Sequence, residues 1–127
     1  MKTAKMLSVA TAALFLSTPA MAAEAEGEIG YSKGALGYDA LVAGDNQAAL
    51  QQLETANGLD EKDPARLINL GQAYARTGRA GDAARMFMAA MNSNRSFDVV
   101  LADGSVMNSR KAAEVALNRL YEQLASS

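Results

Sequence analysis

A single spacing constrains this chain more than any other feature. Leu36-Gly37 returns as Leu70-Gly71, Gly44 as Gly78, Ala49 as Ala83, Leu53 as Phe87 and Ala56 as Ala90, each pair 34 residues apart. A fixed period of about 34 residues is the mark of stacked helical hairpins, one unit per period. Units of this kind bury one side against their neighbours and offer the other to different chains; they rarely carry out chemistry.

The local signals divide each period in the same way. Ala35, Leu36, Leu41 and Val42 fit helical spacing within a helix from Tyr31 to Ala43. Gly44 stops it, because glycine takes the left-handed C-cap conformation without strain. Asp45 is a natural N-cap for a second helix, Asn46 to about Ala56, with Ala49, Leu50, Leu53 and Ala56 along one side. Asn57-Gly58 closes the hairpin, and Asp60-Glu61-Lys62-Asp63 forms a solvated loop. Asp63-Pro64 opens the second unit, with Asp63 as cap and Pro64 suited to the first helical turn. Ala65 to Thr77 carries Leu67, Leu70, Tyr74 and Ala75 on one face, and Gly78 ends it. Ala80 to Met91 turns Ala83, Ala84, Phe87, Ala90 and Met91 inward.

Beyond the second unit the pattern changes. Two short apolar runs, from Phe97 and up to Met107, flank Asp103-Gly104, a pair that accepts the positive φ angles of a tight hairpin turn. A small β-hairpin is expected there, with an irregular loop as the alternative. Asn108 or Ser109 then caps a last helix from Arg110 to about Leu124. Its stripe is Ala113, Ala116, Leu117, Leu120 and Leu124, with Ala112 and Tyr121 at the edges.

Leu67-x-x-Leu70-Gly71-x-x-Tyr74, then Gly78, Ala83-x-x-x-Phe87 and Ala90, resemble the tetratricopeptide repeat pattern, with leucine where tryptophan often stands. The first copy matches at Leu36-Gly37, Gly44, Ala49, Leu53 and Ala56; Ala40 stands at the tyrosine position and Lys33 at the tryptophan position. The resemblance covers about Gly30 to Asn94. It implies an all-α fold with two helical hairpins (30–63 and 64–94); the β-hairpin or loop at 95–108 and the capping helix at 109–127 lie outside it. Small residues at Gly37, Gly71, Ala49 and Ala83 let paired helices approach, and Tyr74, Leu53 and Phe87 fill the space around the contact. An isolated array of this kind usually needs at least ~3 units, so the last helix, a partner or a second copy of the chain must close the open end.

The resemblance also implies where a partner would sit. First helices of successive units line a concave side, which by position includes Tyr38, Leu41 and Val42, then Ile68, Asn69, Gln72, Ala75 and Arg76. Aromatic, amide and basic groups in one groove suit a peptide. Some members hold a terminal carboxylate with lysine, arginine and asparagine. Asn69 and Arg76 match that set, whereas Gly34 and Tyr38 stand where basic and amide groups occur. The edge of the hairpin is a second, weaker docking surface.

The N-terminus reads as an address. Lys2 and Lys5 precede an almost continuous apolar run from Met6 to Leu16, and Ala20-Met21-Ala22 is an A-x-A cleavage site. This is the layout of a secretory signal peptide covering 1–22. The run falls short of the ~20 apolar residues that a membrane span needs. Residues 23–29 (AEAEGEI) would form an acidic, flexible mature start. The expected location is the periplasm, otherwise outside the cell.

Composition closes off most chemistry. The chain has no cysteine and no histidine. Disulfides, thiolate metal sites, imidazole ligands and Ser-His-Asp catalysis are therefore excluded. Asp60, Glu61 and Asp63 lack the spacing of a calcium loop, and the glycines around Lys33-Gly34 do not form a phosphate loop. Met86, Met88, Met91 and Met107 could be thioether ligands for Cu(I), but methionines at helical spacing more often fill a core. Ser105, Ser109 and Lys111 lack catalytic spacing and read as turn and cap residues. Asn94-Arg95-Ser96 matches a glycosylation sequon, relevant only in a eukaryotic host. Without Lys2 and Lys5 the formal charge moves from −2 to −4, which gives no broad attraction for nucleic acid.

The expectation is a non-enzymatic, exported scaffold without metal or cofactor. It would bind a protein or peptide along Tyr38, Leu41, Asn69, Gln72 and Arg76. The alternative is a self-associating structural protein of the periplasm or cell envelope. A carboxylate hydrolase is disfavoured, because no carboxylate pair has the apolar surround that raises a pKa.

Overall fold

The computed structural model describes residues 36–55, 60–100 and 106–127. The expected signal peptide, the acidic mature start, Asn57-Gly58 and Asp103-Gly104 lie outside the described residues. Helices dominate the rest. They are α1 (Tyr38–Ala43), α2 (Asn46–Thr55), α3 (Pro64–Arg76), α4 (Ala80–Met91) and α5 (Ser109–Ala125), with strands β1 (Asp98–Val100) and β2 (Val106–Asn108) between the last two.

The sequence period is a structural period. α2 begins at residue 46 and α4 at residue 80. Gly44 and Gly78 both take φ +83°. The backbone bond that closes the turn recurs with them: Asp45 N–H donates to Ala40 O at 2.9 Å, and Arg79 N–H to Tyr74 O at 2.9 Å. Ala49 and Ala83 are fully buried, as are Leu53 and, to within 1%, Phe87. Asp45 caps α2 by accepting from Ala48 N–H at 3.1 Å. Asp63 caps α3 more firmly, accepting from Ala65 N–H at 2.8 Å and Arg66 N–H at 3.1 Å.

The first helix departs from the period. A helix from Tyr31 to Ala43 was expected; the described part is α1, which starts at Tyr38 behind Gly37. Gly37 sits at φ +63° outside the helix, whereas its counterpart Gly71 lies inside α3. The second unit starts on an Asp-Pro cap, and the first has none; glycine at 37 also weakens helix continuation. Gly37 still provides close approach, since a Cβ there would lie 3.3 Å from Ala49 O and from the Leu53 side chain. At Gly71 the approach is tighter, with a Cβ falling 2.5 Å from Phe87 Cε1.

The β-hairpin forms, in a different register from the one Asp103-Gly104 would impose. A two-residue turn there sets Val100 opposite Met107. The pairs are instead Asp98 with Asn108, Val99 with Met107 and Val100 with Val106. Val99 is buried and Met107 half-buried, so this face of the hairpin packs down. Ser109 locks the hairpin to α5: its N–H donates to Phe97 O at 2.8 Å, and its hydroxyl accepts from Phe97 N–H at 3.3 Å.

Helices pack in chain order, α1 on α2, α2 on α3, α3 on α4 and α4 on α5, with α5 also reaching α3. The core runs continuously from Leu36 to Leu120. α5 thus occupies the place of a first helix in a third unit, with Asn108 as its N-cap. Its expected stripe holds at Ala113, Ala116, Leu117 and Leu120, with Ala112 also buried. Leu124 does not belong to it. The last turn of α5 leaves Leu124 50% exposed and Tyr121 49% exposed.

Candidate functional site

The polar residues of α3 that were expected to face a partner mostly face the first unit. Asn69 is fully buried, and its Nδ2 donates to Leu36 O at 3.1 Å. Arg76 donates to Leu41 O at 2.9 Å and to Asn46 Oδ1 at 3.3 Å. Arg66, which sequence reasoning missed, donates through Nε to Leu53 O at 3.1 Å and through Nη1 to Glu61 O at 3.2 Å. Positions 66, 69 and 76 lie on one side of a helix, so their shared direction was available in the sequence. What they reach was not. Leu41 and Leu53 stand in the last turns of α1 and α2, where carbonyls lack the usual donor four residues on; Leu41 O also accepts from the C-cap Gly44 N–H at 3.1 Å. Three side chains of α3 therefore supply donors to the backbone of the preceding unit.

The five expected contact residues consequently separate. Leu41 is fully buried and Tyr38 is 9% exposed, so both serve the core, as does Asn69. Ile68 is buried as well. Their packing leaves almost no side-chain surface for a partner in this arrangement. Gln72 and Ala75 are half-buried, and Arg76 reaches the surface while its guanidinium binds α1. Partial burial pulls the Arg76 guanidinium below its usual value; arginine remains charged all the same. Val42 is half-buried too. The accessible part of this side is the C-terminal half of α3.

The last helix packs against α3 and repeats its spacing. Gln72 and Arg76 lie nine and thirteen residues after the N-cap Asp63, and Leu117 and Tyr121 lie nine and thirteen after the N-cap Asn108. Leu117 and Tyr121 therefore hold on α5 the places that Gln72 and Arg76 hold on α3. Their apolar character had marked them as core and core edge; Leu117 is buried, and Tyr121 is half exposed because no described element covers it.

The twelve residues assigned to repeat packing are placed as follows. Leu36, Ala49, Leu53, Leu70, Tyr74, Ala83, Phe87 and Ala90 are buried in the core. Gly37 and Gly71 sit at close contacts, and Gly44 and Gly78 sit in exposed turns with open space around them. Tyr74 does more than fill space. Its hydroxyl donates to Glu54 Oε2 at 2.8 Å, and the Arg79 guanidinium stands 4.3 Å from its ring centroid. Arg79 in turn holds Asp82 at 2.8 Å, and Arg85 binds the other oxygen of that carboxylate. Burial, and after it the Glu54 carboxylate, push the Tyr74 phenol up. Hydrogen bonds from Arg79 and Arg85 hold the Asp82 carboxyl below the usual range. These contacts join α2, α3 and α4. Arg95 performs a similar task beyond α4, pairing with Asp60 at 3.4 Å and Asp63 at 3.7 Å.

Among the described residues no group of three or more metal-ligating side chains converges. No described helix is long and apolar enough to cross a membrane. Residues 40–100 match a family model described as tetratricopeptide repeat. No curated protein and no solved structure matches the chain.

Proposed function

We propose, from the tetratricopeptide repeat match over residues 40–100, that this chain is a non-enzymatic scaffold that binds a peptide or helix of a partner protein along its concave side. The docking strip runs from Gln72, Ala75 and Arg76 on α3 to Tyr121 and Leu124 on α5. One observation carries this reading. Tyr121 and Leu124 are exposed in the last turns of a helix that otherwise buries its apolar face, and that helix packs against α3. An aromatic and an aliphatic anchor flanked by an amide and a cation suit an amphipathic peptide, since aromatic and arginine side chains dominate binding at protein interfaces. Tyr38, Leu41 and Asn69 act in this reading as supports that hold the first unit in place.

The proposal includes export. Lys2, Lys5, the Met6–Leu16 run and Ala20-Met21-Ala22 would direct the chain across the membrane and release it by cleavage after Ala22. Cell fractionation with mass spectrometry of the mature N-terminus tests that step; a chain retaining Met1 in the cytoplasm overturns it.

The docking strip is tested by site-specific photo-crosslinking in the native host. A probe at Gln72 or Tyr121 should capture one and the same partner, and a probe at exposed Arg85 on α4 should not. Tyr121→Asp should abolish capture from position 72 without loss of helical signal. Equal capture from position 85, or capture that survives Tyr121→Asp, overturns the assignment of the strip.

A further inference from the structure

We draw no further inference here: the strongest candidate, the apolar patch that Tyr121 and Leu124 form at the open end of the last helix as a stacking face for a second copy of the chain, carries nothing beyond the docking strip already proposed, because nothing in the structure shows what covers it.

Discussion

Replacing Gly71 with alanine tests the contact on which the second helical unit is built. Gly71 lies inside α3, and a Cβ there would meet three atoms of the Phe87 ring, at 2.5, 2.7 and 2.9 Å. Carbon atoms in contact prefer about 3.5–4.0 Å, so the methyl group would sit about 1 Å too close. The ring is 1% exposed and stiff, and it cannot swing into solvent. Forcing extra volume into a packed core costs about 1–3 kcal/mol. Alanine gives back up to about 1 kcal/mol in helix propensity. The net expectation is a loss of up to about 2 kcal/mol, or a fall of up to about 15 °C in Tm for a domain of this size. Gly81 supplies the control. It lies in the first turns of α4 with nothing within 4 Å of a Cβ, so Gly81→Ala should leave stability unchanged or raise it by up to about 1 kcal/mol. Urea unfolding followed by circular dichroism measures both. Adding Phe87→Leu, which copies Leu53 of the first unit, should recover part of the Gly71→Ala loss, with a coupling above about 0.5 kcal/mol in a double-mutant cycle. A Gly71→Ala protein as stable as Gly81→Ala would refute the packing of Phe87 against α3.

Three further outcomes are expected. Asp63→Ala removes the cap of α3 and one partner of Arg95, and should cost about 1–2 kcal/mol by urea unfolding, more than Asp45→Ala at the exposed cap of α2. Tyr74→Phe should flatten the alkaline end of the stability profile. The folded pKa of Tyr74 lies above 10.0, so its contribution is complete below the unfolded value and disappears as pH rises through the folded one. Urea midpoints taken from neutral to about pH 12 should fall more steeply for the unmodified chain than for the variant. Asp82→Asn acts at the other end. The folded Asp82 pKa lies below 3.8, so its contribution is present above that value and is lost as pH falls through the lower one. The variant should be less stable at neutral pH, and the gap should close on acidification; a gap that persists at about pH 2 contradicts the role given to Arg79 and Arg85.

The 34-residue period was enough to define the second unit almost to the residue. Asp63 and Pro64 start α3, Gly78 stops it, and α4 spans Ala80–Met91 as its stripe requires, because caps, turns and amphipathic spacing act within a few residues. The same logic located α2 and α5. Local signals failed where the outcome depended on what lay opposite. Gly37 and Gly71 match in sequence, yet Gly37 takes a left-handed conformation outside α1 whereas Gly71 lies inside α3, which starts on the Asp63-Pro64 cap. The hairpin exists where two apolar runs announced it, but its register follows the packing of Val99 rather than the turn pair.

The docking side divides along the same line. Position in the repeat put Asn69, Gln72 and Arg76 on one side of α3, expected as the concave side, and it could not tell a groove from a joint. Tertiary packing decided that Asn69 and Arg76, together with Arg66, spend their donors on the backbone of the preceding unit, because the carbonyls at Leu36, Leu41 and Leu53 come within reach only once the units stack. It also decided that Leu124 and Tyr121 reach the surface, since burial depends on a neighbour and the described helices end with α5. The chain of residues by itself determined a repeat of helical pairs, through periodicity and caps. Only the assembled structure decided which faces of those helices remained open, because exposure is a property of the neighbours a side chain meets and not of the side chain.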